Sequence, residues 1–427
     1  MVTARGHLMS TSGVGSAKPP HRVVITGIGV TTPIGNDVAS SVQGLKEGRS
    51  GARFMPDWDD IEDLHCKVAA CVDGLDLETI FPRKRRRTMG RVALLAVHAT
   101  EQAVDQSGLD RESLRSERVG VVYGSTTGSS EALEKYSTRM TQQRTLTGLD
   151  PNAYFKLMTH TCAVNVAQFY GVMGRIASTC TACTSSSQAI GTAYELVRSG
   201  TQDIVLCGGA EEMHYTSACT FDLLMATSYG YNDRPTETPR PFDKARDGLI
   251  CGEGAGALVL ETLEGAKRRG ATILAEVLGY ATNCDGAHIS APHQAGMRRV
   301  MELALADAGL EPSAVDYVCG HGTGTEVGDI AESQATRDVF DRRVPMASLK
   351  GYVGHTLGAC GAIEAAWSVE MIRTGFLAAN RNLTEVDPRC GDLDYVMETR
   401  EARPSVIMTN NFAFGGINTS ILLGRPE

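Results

Sequence analysis

The sequence predicts an α/β protein in which parallel or mixed sheets are covered by helices. Runs rich in β-branched residues, typical of strands, alternate with segments of helical apolar spacing from residue 21 to the C-terminus. Many of the 46 glycines follow the strand-like runs, where tight loops and close backbone approaches need them. Alternation of this kind implies helical layers on the faces of the sheets.

The elements can be placed in chain order. The first half contains strand-like runs and helix-like segments at 21–35, 40–48, 83–109, 118–128, 177–200, 202–211 and 256–263, with a long polar loop at 231–250. The second half repeats the alternation at 272–283, 296–309, 315–325, 329–340, 345–350 and 358–375, and it ends in a pair of strands around 409–418.

The chain divides into a short tail and two halves. Its 427 residues exceed one ordinary hydrophobic core, which indicates two or three domains or one large unit built from two halves. Residues 1–20 are polar and rich in glycine, serine and proline, which predicts a disordered tail. We place the N-terminal half at 21–262 and the C-terminal half at 263–427. No residue-level repeat links them, so any duplication is expected to be structural only.

Composition excludes several classes of function. The net charge of -9 argues against nucleic-acid binding, which needs a basic surface to displace counterions. No run approaches the roughly 20 apolar residues of a membrane span. The 12 cysteines are scattered and no secretory signal precedes them, so reduced thiols in a cytoplasmic protein are the simplest account.

Two cysteines three positions apart, Cys180 and Cys183, precede a helix-like segment, and their spacing has three interpretations. A structural zinc site needs four ligands, and the chain has no second C-x-x-C, C-x-x-H or H-x-x-x-H. A redox pair also opens a helix after a strand, so that interpretation stays open. The third makes Cys183 a nucleophile, because backbone N–H groups and the dipole at a helix N-terminus lower a thiol pKa. Cys180 would then be a small packed neighbour.

Two histidines in glycine-rich loops favour the nucleophile. His321 lies in CGHGTGTEVGD, directly after a strand-like run, and His355 lies in KGYVGHTLGACGAIEA, between a strand and a helix. Strand ends in α/β sheets are where functional groups converge, so a cysteine and two histidines at three strand ends form a catalytic constellation. The segment GEGAGA at 252–257 formally fits a dinucleotide fingerprint, but it opens a strand rather than a helix, and we reject that interpretation.

Several motifs in order resemble those of the β-ketoacyl-[acyl-carrier-protein] synthases. They are TACTSSSQAIG around Cys183, GHGTGTEVGD around His321, KGYVGHTLGACGAIEA around His355, RPFDKARDGLICGEGAGALVLE and NNFAFGGIN, and they span nearly the whole chain. The third position, His355, is similar to the elongating Cys-His-His type rather than the initiating Cys-His-Asn type. A thiolase would need a second catalytic cysteine near the C-terminus, where this chain has Asn411, Phe412 and Phe414, so the resemblance is not to the thiolases themselves. The resemblance implies a thiolase-like fold, with two similar halves in a five-layer α-β-α-β-α arrangement.

The resemblance also implies a decarboxylative Claisen condensation in fatty acid or polyketide biosynthesis. Cys183 would carry an acyl group as a thioester, and malonyl-acyl-carrier protein would lose CO2 to give the enolate that attacks it. His321 and His355 would stabilise the enolate oxygen with N–H donors. Lys350 and Glu364 would form a supporting ion pair, in which Lys350 tunes the charge of the site rather than acting as the base.

Further roles follow from the same resemblance. Backbone N–H groups of Cys183 and Phe414 would bind the thioester oxyanion. Phe414 would also gate the acyl pocket, whereas Phe412 is expected to pack in the hydrophobic core. Thr323 and Thr325 would hydrogen-bond the phosphopantetheine arm, with capping of the helix near residue 329 as the alternative for Thr325. Thr126 and Thr127 would line the acyl pocket. Lys84 and Arg87, in the basic run that opens the segment 83–109, would dock an acidic carrier protein.

The expected partners are an acyl-carrier protein and a second chain. Because the substrates arrive on phosphopantetheine, we expect no cofactor and no metal. The family is usually dimeric, so the chain is expected to form a homodimer, or a heterodimer with a ketosynthase-like partner. The alternative function is that of a non-catalytic subunit that sets chain length, although such subunits usually lack the cysteine that this chain has at Cys183.

The sequence departs from the family pattern in the gate and the pocket. Ala413 and Ile417 stand where most elongating synthases have glycine and threonine, and because alanine adopts positive φ less readily than glycine, we hypothesise a stiffer gate. Ser186 replaces a glycine, and Glu326 replaces a proline. A pocket made polar by threonines suggests short or unsaturated chains, and the chain resembles the synthases of aryl-polyene-type pigment clusters most.

Overall fold

The computed structural model describes residues 20–427, so the predicted tail at 1–20 lies almost entirely outside the described residues. The strands are β1 (Val23–Thr31), β2 (Ala52–Phe54), β3 (Val68–Ala70), β4 (Val119–Gly124), β5 (Ile176–Thr179), β6 (Ile204–Glu211), β7 (Cys251–Gly252), β8 (Gly254–Thr262), β9 (Ala275–Cys284), β10 (Tyr317–Gly320), β11 (Pro345–Ser348), β12 (Phe376–Leu377), β13 (Asp394–Tyr395), β14 (Arg400–Glu401), β15 (Val406–Ala413) and β16 (Ile417–Gly424). The helices are α1 (Val38–Lys46), α2 (Leu77–Ile80), α3 (Arg91–Ser107), α4 (Arg111–Leu114), α5 (Ser130–Thr138), α6 (Ala153–Leu157), α7 (Thr161–Tyr170), α8 (Ser185–Arg198), α9 (Tyr215–Leu223), α10 (Leu263–Arg268), α11 (Gln294–Ala308), α12 (Glu326–Phe340), α13 (Lys350–Val353) and α14 (Cys360–Thr374).

The main sheet has eleven strands in the order β13-β11-β10-β15-β16-β9-β1-β8-β6-β4-β5. Its two halves meet where β1 pairs antiparallel with β9. Outward from that seam the strands run β1-β8-β6-β4-β5 on one side and β9-β16-β15-β10-β11 on the other. In both series two antiparallel pairings are followed by two parallel ones. The two halves therefore share one topology, as the sequence-based prediction of a structural duplication requires.

Successive side chains along each strand point to opposite faces of the sheet, and this alternation produces the layers. In β4, Val121 packs into the outer core with α3 and α7, whereas its neighbour Val122 packs into the central core with α8 and α14. In β10, Val318 packs outward against α11 and α12, and Cys319 packs into the same central core. Because successive side chains of a strand point to opposite faces, each half-sheet lies between two helical layers. The five-layer α-β-α-β-α arrangement is confirmed.

The central helices lie very close together. In α14 every residue from Cys360 to Ile372 is buried, which is the pattern of a helix enclosed on all sides. A Cβ atom at Gly361 would lie 2.0 Å from Ser187 Oγ of α8, so only glycine permits this approach. The contact places the N-termini of α8 and α14 side by side beneath the loops that carry the candidate site.

Two element boundaries differ from the predictions. The helix predicted over 83–109 begins only at Arg91, and the basic run before it forms a turn. Two side chains of that run make contacts of their own: Arg85 stacks on Phe169, and Arg86 pairs with Glu78 at 2.9 Å. The helix predicted to start at residue 329 begins three residues earlier, at Glu326. Among residues 20–427, no helix has both the length and the apolar character needed to cross a bilayer.

Candidate active site

Cys183 lies in a strained turn between β5 and α8. Ala182 has φ of 48°, in the left-handed region that non-glycine residues rarely adopt. Ser185 holds the turn closed, since its hydroxyl donates to the Ala182 carbonyl at 2.7 Å and accepts from the Thr181 N–H at 2.9 Å. The turn continues directly into α8, so the predicted position at a helix start is what the structure has. Strain of this kind is stored where a side chain must be held in one orientation.

The structure brings the two predicted histidines to this cysteine. His321 follows β10, and His355 lies between β11 and α14. His355 Nε2 is 2.9 Å from Cys183 Sγ, and the two imidazole rings meet edge to face with centroids 5.2 Å apart. Ligating atoms of all three residues lie within 4.8 Å of one another, and all three side chains are buried. The cluster is compact enough for its three groups to contact one substrate carbon or oxygen.

Burial keeps the cluster neutral. It raises the pKa of the Cys183 thiol to about 12, although the charge on Lys350 acts in the opposite direction. It lowers the pKa of His321 and of His355 well below the ordinary value, and Lys350 lowers both further. The backbone N–H of Cys183 lowers this pKa, as predicted for a cysteine at a helix start, but desolvation of the thiolate is the larger effect and the net shift is upward. A neutral thiol faces neutral imidazoles.

The predicted ion pair is buried beside the histidines. Lys350 Nζ lies 2.7 Å from Glu364 Oε1, and both side chains are almost completely buried. Burial opposes the charge of Lys350, but the Glu364 carboxylate outweighs it and raises the pKa of Lys350, which stays protonated. The other oxygen, Glu364 Oε2, accepts from Asn411 Nδ2 at 2.7 Å, and the same amide nitrogen is 3.4 Å from His321 Nδ1. The charge pair thus reaches the histidine through Asn411, a residue to which sequence reasoning gave no role.

Two further buried carboxylates hold the loops, and sequence reasoning missed both. Glu332 of α12 accepts from the backbone N–H groups of His321 and Gly322, each at 2.6 Å. Glu211, at the end of β6, accepts from the N–H groups of Thr126 and Gly358, each at 3.0 Å. Burial raises the pKa of Glu332 to about 8 and that of Glu211 to about 7. Glu211 ends an apolar strand, which was the one available signal for it, whereas Glu332 lies among the other polar residues of α12 and gave no signal.

A cavity of about 440 Å³ opens onto the cluster. Its wall includes Cys183, His321 and His355 together with the predicted arm-binding residues Thr323 and Thr325. The two threonine hydroxyls are 2.9 Å apart. Thr325 occupies the N-cap position of α12 but its side chain makes no capping hydrogen bond, so the capping interpretation is not what the structure has. Both hydroxyls remain available to a molecule in the cavity.

The predicted gate lies in the turn between β15 and β16. Phe414 is 36% exposed, lines the cavity and packs against Phe221, with ring centroids 5.8 Å apart. Positive φ falls on Gly415 and Gly416, at 92° and 71°, whereas Ala413 ends β15 and pairs with Ile417. The backbone argument for a stiff Ala413 therefore does not apply in this conformation. Phe412 is buried in the outer core, as expected, and its ring also lies 6.1 Å from that of His321.

Other predicted residues lie apart from the cluster. Thr126 is half-buried and Thr127 is exposed, and neither lines the described cavity. Lys84 and Arg87 are exposed in the turn before α3. Cys180 is exposed rather than packed, with its Sγ donating to the Thr126 carbonyl at 3.1 Å, because it precedes the strained turn at the open end of β5. In residues 20–427 every cysteine is a free thiol.

Two family models match: Beta-ketoacyl synthase, N-terminal domain, over residues 21–266, and Beta-ketoacyl synthase, C-terminal domain, over residues 274–384. The chain belongs to the β-ketoacyl synthase family. It is 36% identical over 406 residues to 3-oxoacyl-[acyl-carrier-protein] synthase 1 of Escherichia coli (strain K12), covering 95% of this chain and 99% of that protein. It is also 36% identical to the putative polyketide beta-ketoacyl synthase 1 of Streptomyces virginiae over 416 residues, covering 95% and 98%.

Solved structures of other proteins have the same fold as this chain. A beta-ketoacyl synthase from Burkholderia phymatum STM815 matches with a TM-score of 0.92 and 50% identity, covering 95% of this chain and all of that one. A type II polyketide ketosynthase solved with its acyl-carrier protein, AntDE:AntF, matches at 0.86 and 28%, covering 96% and 100%. The ketosynthase ApeO of Xenorhabdus doucetiae, solved with its chain length factor ApeC, matches at 0.83 and 26%, covering 95% and 98%. These matches confirm the thiolase-like fold.

Proposed function

We propose that this synthase condenses an acyl thioester on Cys183 with malonyl-acyl-carrier protein to give a β-ketoacyl-acyl-carrier protein. The observation that carries the proposal is the meeting of Cys183, His321 and His355 within 4.8 Å at one cavity. Such a cluster combines a nucleophile with two neutral N–H donors in a site largely closed to water, which is what acyl transfer and enolate formation both need.

In the first half-reaction, Cys183 Sγ attacks the carbonyl carbon of the acyl thioester. The C–S bond to the carrier arm breaks, and the thiol proton leaves Cys183 as the arm departs as a free thiol. His355 Nε2, 2.9 Å from Sγ, is placed to hydrogen-bond the sulfur while the proton passes from Sγ to the departing arm, and its lowered pKa keeps the imidazole neutral. Backbone N–H groups of Cys183 and Phe414 are proposed to bind the developing oxyanion.

In the second half-reaction, the malonyl group loses CO2 and leaves an enolate. Neutral His321 and His355 donate hydrogen bonds to the enolate oxygen, which lowers the cost of decarboxylation. The enolate carbon attacks the acyl-cysteine carbonyl, a C–C bond forms, and the C–S bond to Cys183 breaks. The Cys183 sulfur leaves as a thiolate and takes up one proton, which restores the resting enzyme.

Lys350 acts as a positioning residue in this scheme. Its ammonium is tied to Glu364 and stays protonated, so it is not available as a base. Its fixed positive charge instead favours neutral histidines and the anionic forms of the substrate. Glu364 and Asn411 relay this arrangement to His321 through the hydrogen bonds described above. Thr323 and Thr325 are proposed to hydrogen-bond the phosphopantetheine arm.

We propose an acyl-carrier protein and a second ketosynthase-like chain as partners. Lys84 and Arg87 are the proposed docking cations for an acidic carrier. β5 is an edge strand whose side chains are only half covered, including Ile176 at 45% exposure, and such an edge needs a cover. A homodimer or a heterodimer through β5 would supply it. Light scattering of the purified chain, and of the chain co-expressed with a chain-length-factor-type subunit, distinguishes the two.

The finer assignments are proposals as well. We place the division between the halves at 262/263, where β8 ends. We assign the acyl pocket to the side of Thr126 and Thr127, and the polarity of these residues supports a short or unsaturated chain of the aryl-polyene type. Twelve free thiols support a reducing, cytoplasmic location.

Thiol mapping tests the proposed function. The protein is incubated with an acyl-carrier substrate, or with a cerulenin-like electrophile, and the modified residue is identified by intact-mass and peptide analysis. We expect labelling of Cys183 that is lost in Cys183→Ala and kept in Cys180→Ala. A Cys180–Cys183 disulfide, or one zinc ion per chain on Cys183, His321 and His355, would contradict the proposal. Absence of acylation with an intact fold would favour the chain-length subunit.

A further inference from the structure

Asn411 of β15 lies in a buried group of polar side chains beside the catalytic cluster. Its amide nitrogen is 2.7 Å from Glu364 Oε2 and 3.4 Å from His321 Nδ1. Its amide oxygen accepts a hydrogen bond from the Ser187 hydroxyl of α8. Asn411 is only 1% exposed, so its amide is oriented by these neighbours rather than by solvent.

The orientation of the amide follows from what each neighbour accepts. A carboxylate only accepts hydrogen bonds, so the nitrogen of Asn411, and not its oxygen, must face Glu364. The second hydrogen of that nitrogen has two acceptors in reach, His321 Nδ1 at 3.4 Å and Cys360 Sγ at 3.6 Å. Sulfur is the weaker acceptor, and the Cys360 thiol itself donates to the Cys183 carbonyl at 3.2 Å. The second hydrogen therefore belongs to His321.

A donor at Nδ1 determines where the proton of His321 lies. A neutral imidazole has one N–H and one bare nitrogen, and a hydrogen bond made by one nitrogen decides which of the two carries the proton. Burial and the charge of Lys350 keep His321 neutral. Because Nδ1 accepts from Asn411, the proton lies on Nε2, the nitrogen left for a molecule in the cavity that His321 lines.

His355 differs in this respect. Its Nδ1 is buried and makes no hydrogen bond to any residue in the described part of the chain, whereas its Nε2 is 2.9 Å from Cys183 Sγ. The position of the His355 proton therefore does not depend on Asn411. The second histidine of the cluster serves as an internal reference for the first.

We propose that Asn411 is a positioning residue that sets the tautomer of His321 and so makes His321 an N–H donor to the enolate oxygen. This inference rests on the proposed function, in which both histidines donate to that oxygen. Glu364 and Ser187 hold the amide so that it donates to the ring. An acceptor in place of that donor would draw the proton to Nδ1 and turn the lone pair of Nε2 towards the substrate, which is the wrong tautomer for a donor.

The tautomer can be measured without turnover. ¹⁵N NMR of histidine-labelled protein at about pH 8, where the imidazoles are neutral, distinguishes Nε2–H from Nδ1–H, and His321→Ala and His355→Ala assign the signals. We expect Nε2–H for His321 in the unaltered chain, Nδ1–H in Asn411→Asp and a mixture in Asn411→Leu. The tautomer of His355 should stay the same in all three proteins. Because Asn411→Asp keeps the shape of the side chain, the test does not depend on the folding of Asn411→Leu.

The two half-reactions give a second measurement. In a Cys183→Gln background, CO2 release from malonyl-carrier protein should fall by about 10²-fold with Asn411→Asp, the usual cost of one oxyanion donor, and by less than about tenfold with Asn411→Leu. Acylation of Cys183 in the otherwise unaltered chain should change by less than about twofold, because His355 is the histidine that contacts the sulfur. Asn165→Leu is the matched control, since it removes another asparagine that is 1% exposed, in α7, and it should change neither reaction nor either tautomer.

The outcomes separate this proposal from the function on which it rests. A His321 signal that stays Nε2–H in Asn411→Asp would overturn the proposal, and so would equal losses of acylation and CO2 release. Failure of the unaltered chain to release CO2, although His321 carries its proton on Nε2, would instead count against the proposed function.

Discussion

The two halves of the molecule share one backbone feature, a non-glycine residue with positive φ in the turn before a central helix. In the N-terminal half, β5 leads through a short turn into α8, and Ala182, the first residue of that turn, has φ of 48°. In the C-terminal half, β11 is followed by the short helix α13 and then by a similar turn that leads into α14, and Leu357, the first residue of that turn, has φ of 46°. The halves differ in which residue beside the strained position carries the reactive group.

Positions counted from the strained residue correspond between the two turns. Cys183 follows the strained residue of the first half, and its counterpart in the second half is Gly358. His355 precedes the strained residue of the second half by two positions, and its counterpart is Cys180. The C-x-x-C spacing thus joins Cys183 to the position that the other half uses for a histidine. The shared topology provides two corresponding sites, which hold the proposed nucleophile and one of the proposed hydrogen-bond donors.

Substitution of Cys183 should have the largest effect and should separate the reactions assigned to the two halves. Cys183→Ala should reduce condensation by at least about 10⁴-fold, because the acyl intermediate cannot form. Cys183→Gln should likewise fail to condense but should still release CO2 from malonyl-carrier protein, since the donors of the second half are intact. Product mass and CO2 release measure the two reactions, with Cys180→Ala as the matched control. Loss of CO2 release in Cys183→Gln would show that the halves do not work separately.

Breaking the buried ion pair of the second half should cost stability. Lys350→Met leaves Glu364 charged and buried without its partner, and we expect the free energy of unfolding to fall by about 3–5 kcal/mol. The double variant Lys350→Met/Glu364→Gln removes both charges and should lose less. Urea unfolding of the three proteins measures the difference. Equal losses in the single and double variants would mean that Lys350 stabilises by packing alone.

The two histidines should differ according to their distance from the nucleophile. His321→Ala and His355→Ala should each slow decarboxylation by about 10²–10³-fold, the usual cost of one oxyanion donor. Only His355 touches Cys183, at 2.9 Å, so His355→Ala should also slow acylation while His321→Ala leaves it nearly unchanged. Rapid-quench acylation and CO2 release report the two steps. Equal effects on acylation would remove this distinction between the loops.

The pH dependence of alkylation tests whether burial or the α8 N-terminus controls the thiol. The pKa of Cys183 is raised to about 12, so its thiolate fraction should climb about tenfold per pH unit from pH 7 to 9. Iodoacetamide labelling of a Cys180→Ser background, followed by peptide mass analysis, measures the rate. A plateau below pH 8 would show that the helix terminus outweighs desolvation.

Much of this site could be predicted from residues that are close together in the sequence. Cys183, His321 and His355 lie in motifs that each combine a strand end with glycines, so local pattern and resemblance sufficed. Glu211 and Glu332 could not be found in this way, because they act on backbone N–H groups of loops brought to them only by folding. The raised pKa of Cys183 was missed for the same reason, since burial depends on tertiary packing rather than on the preceding turn.

The smallest effect concerns the gate, where the turn of the second half relies on two glycines with positive φ. Positive φ lies at Gly415 and Gly416, and Ala413 is an ordinary strand residue paired with Ile417. Ala413→Gly should therefore lower strand stability by only about 0.5–1 kcal/mol and leave chain-length selectivity nearly unchanged. Gly415→Ala, at φ of 92°, should slow condensation more than acylation, because a strained turn resists the movement of Phe414. Competition between acyl chains of two lengths measures the selectivity. A clear shift of this selectivity in Ala413→Gly would show instead that the stiffness of residue 413 controls the gate.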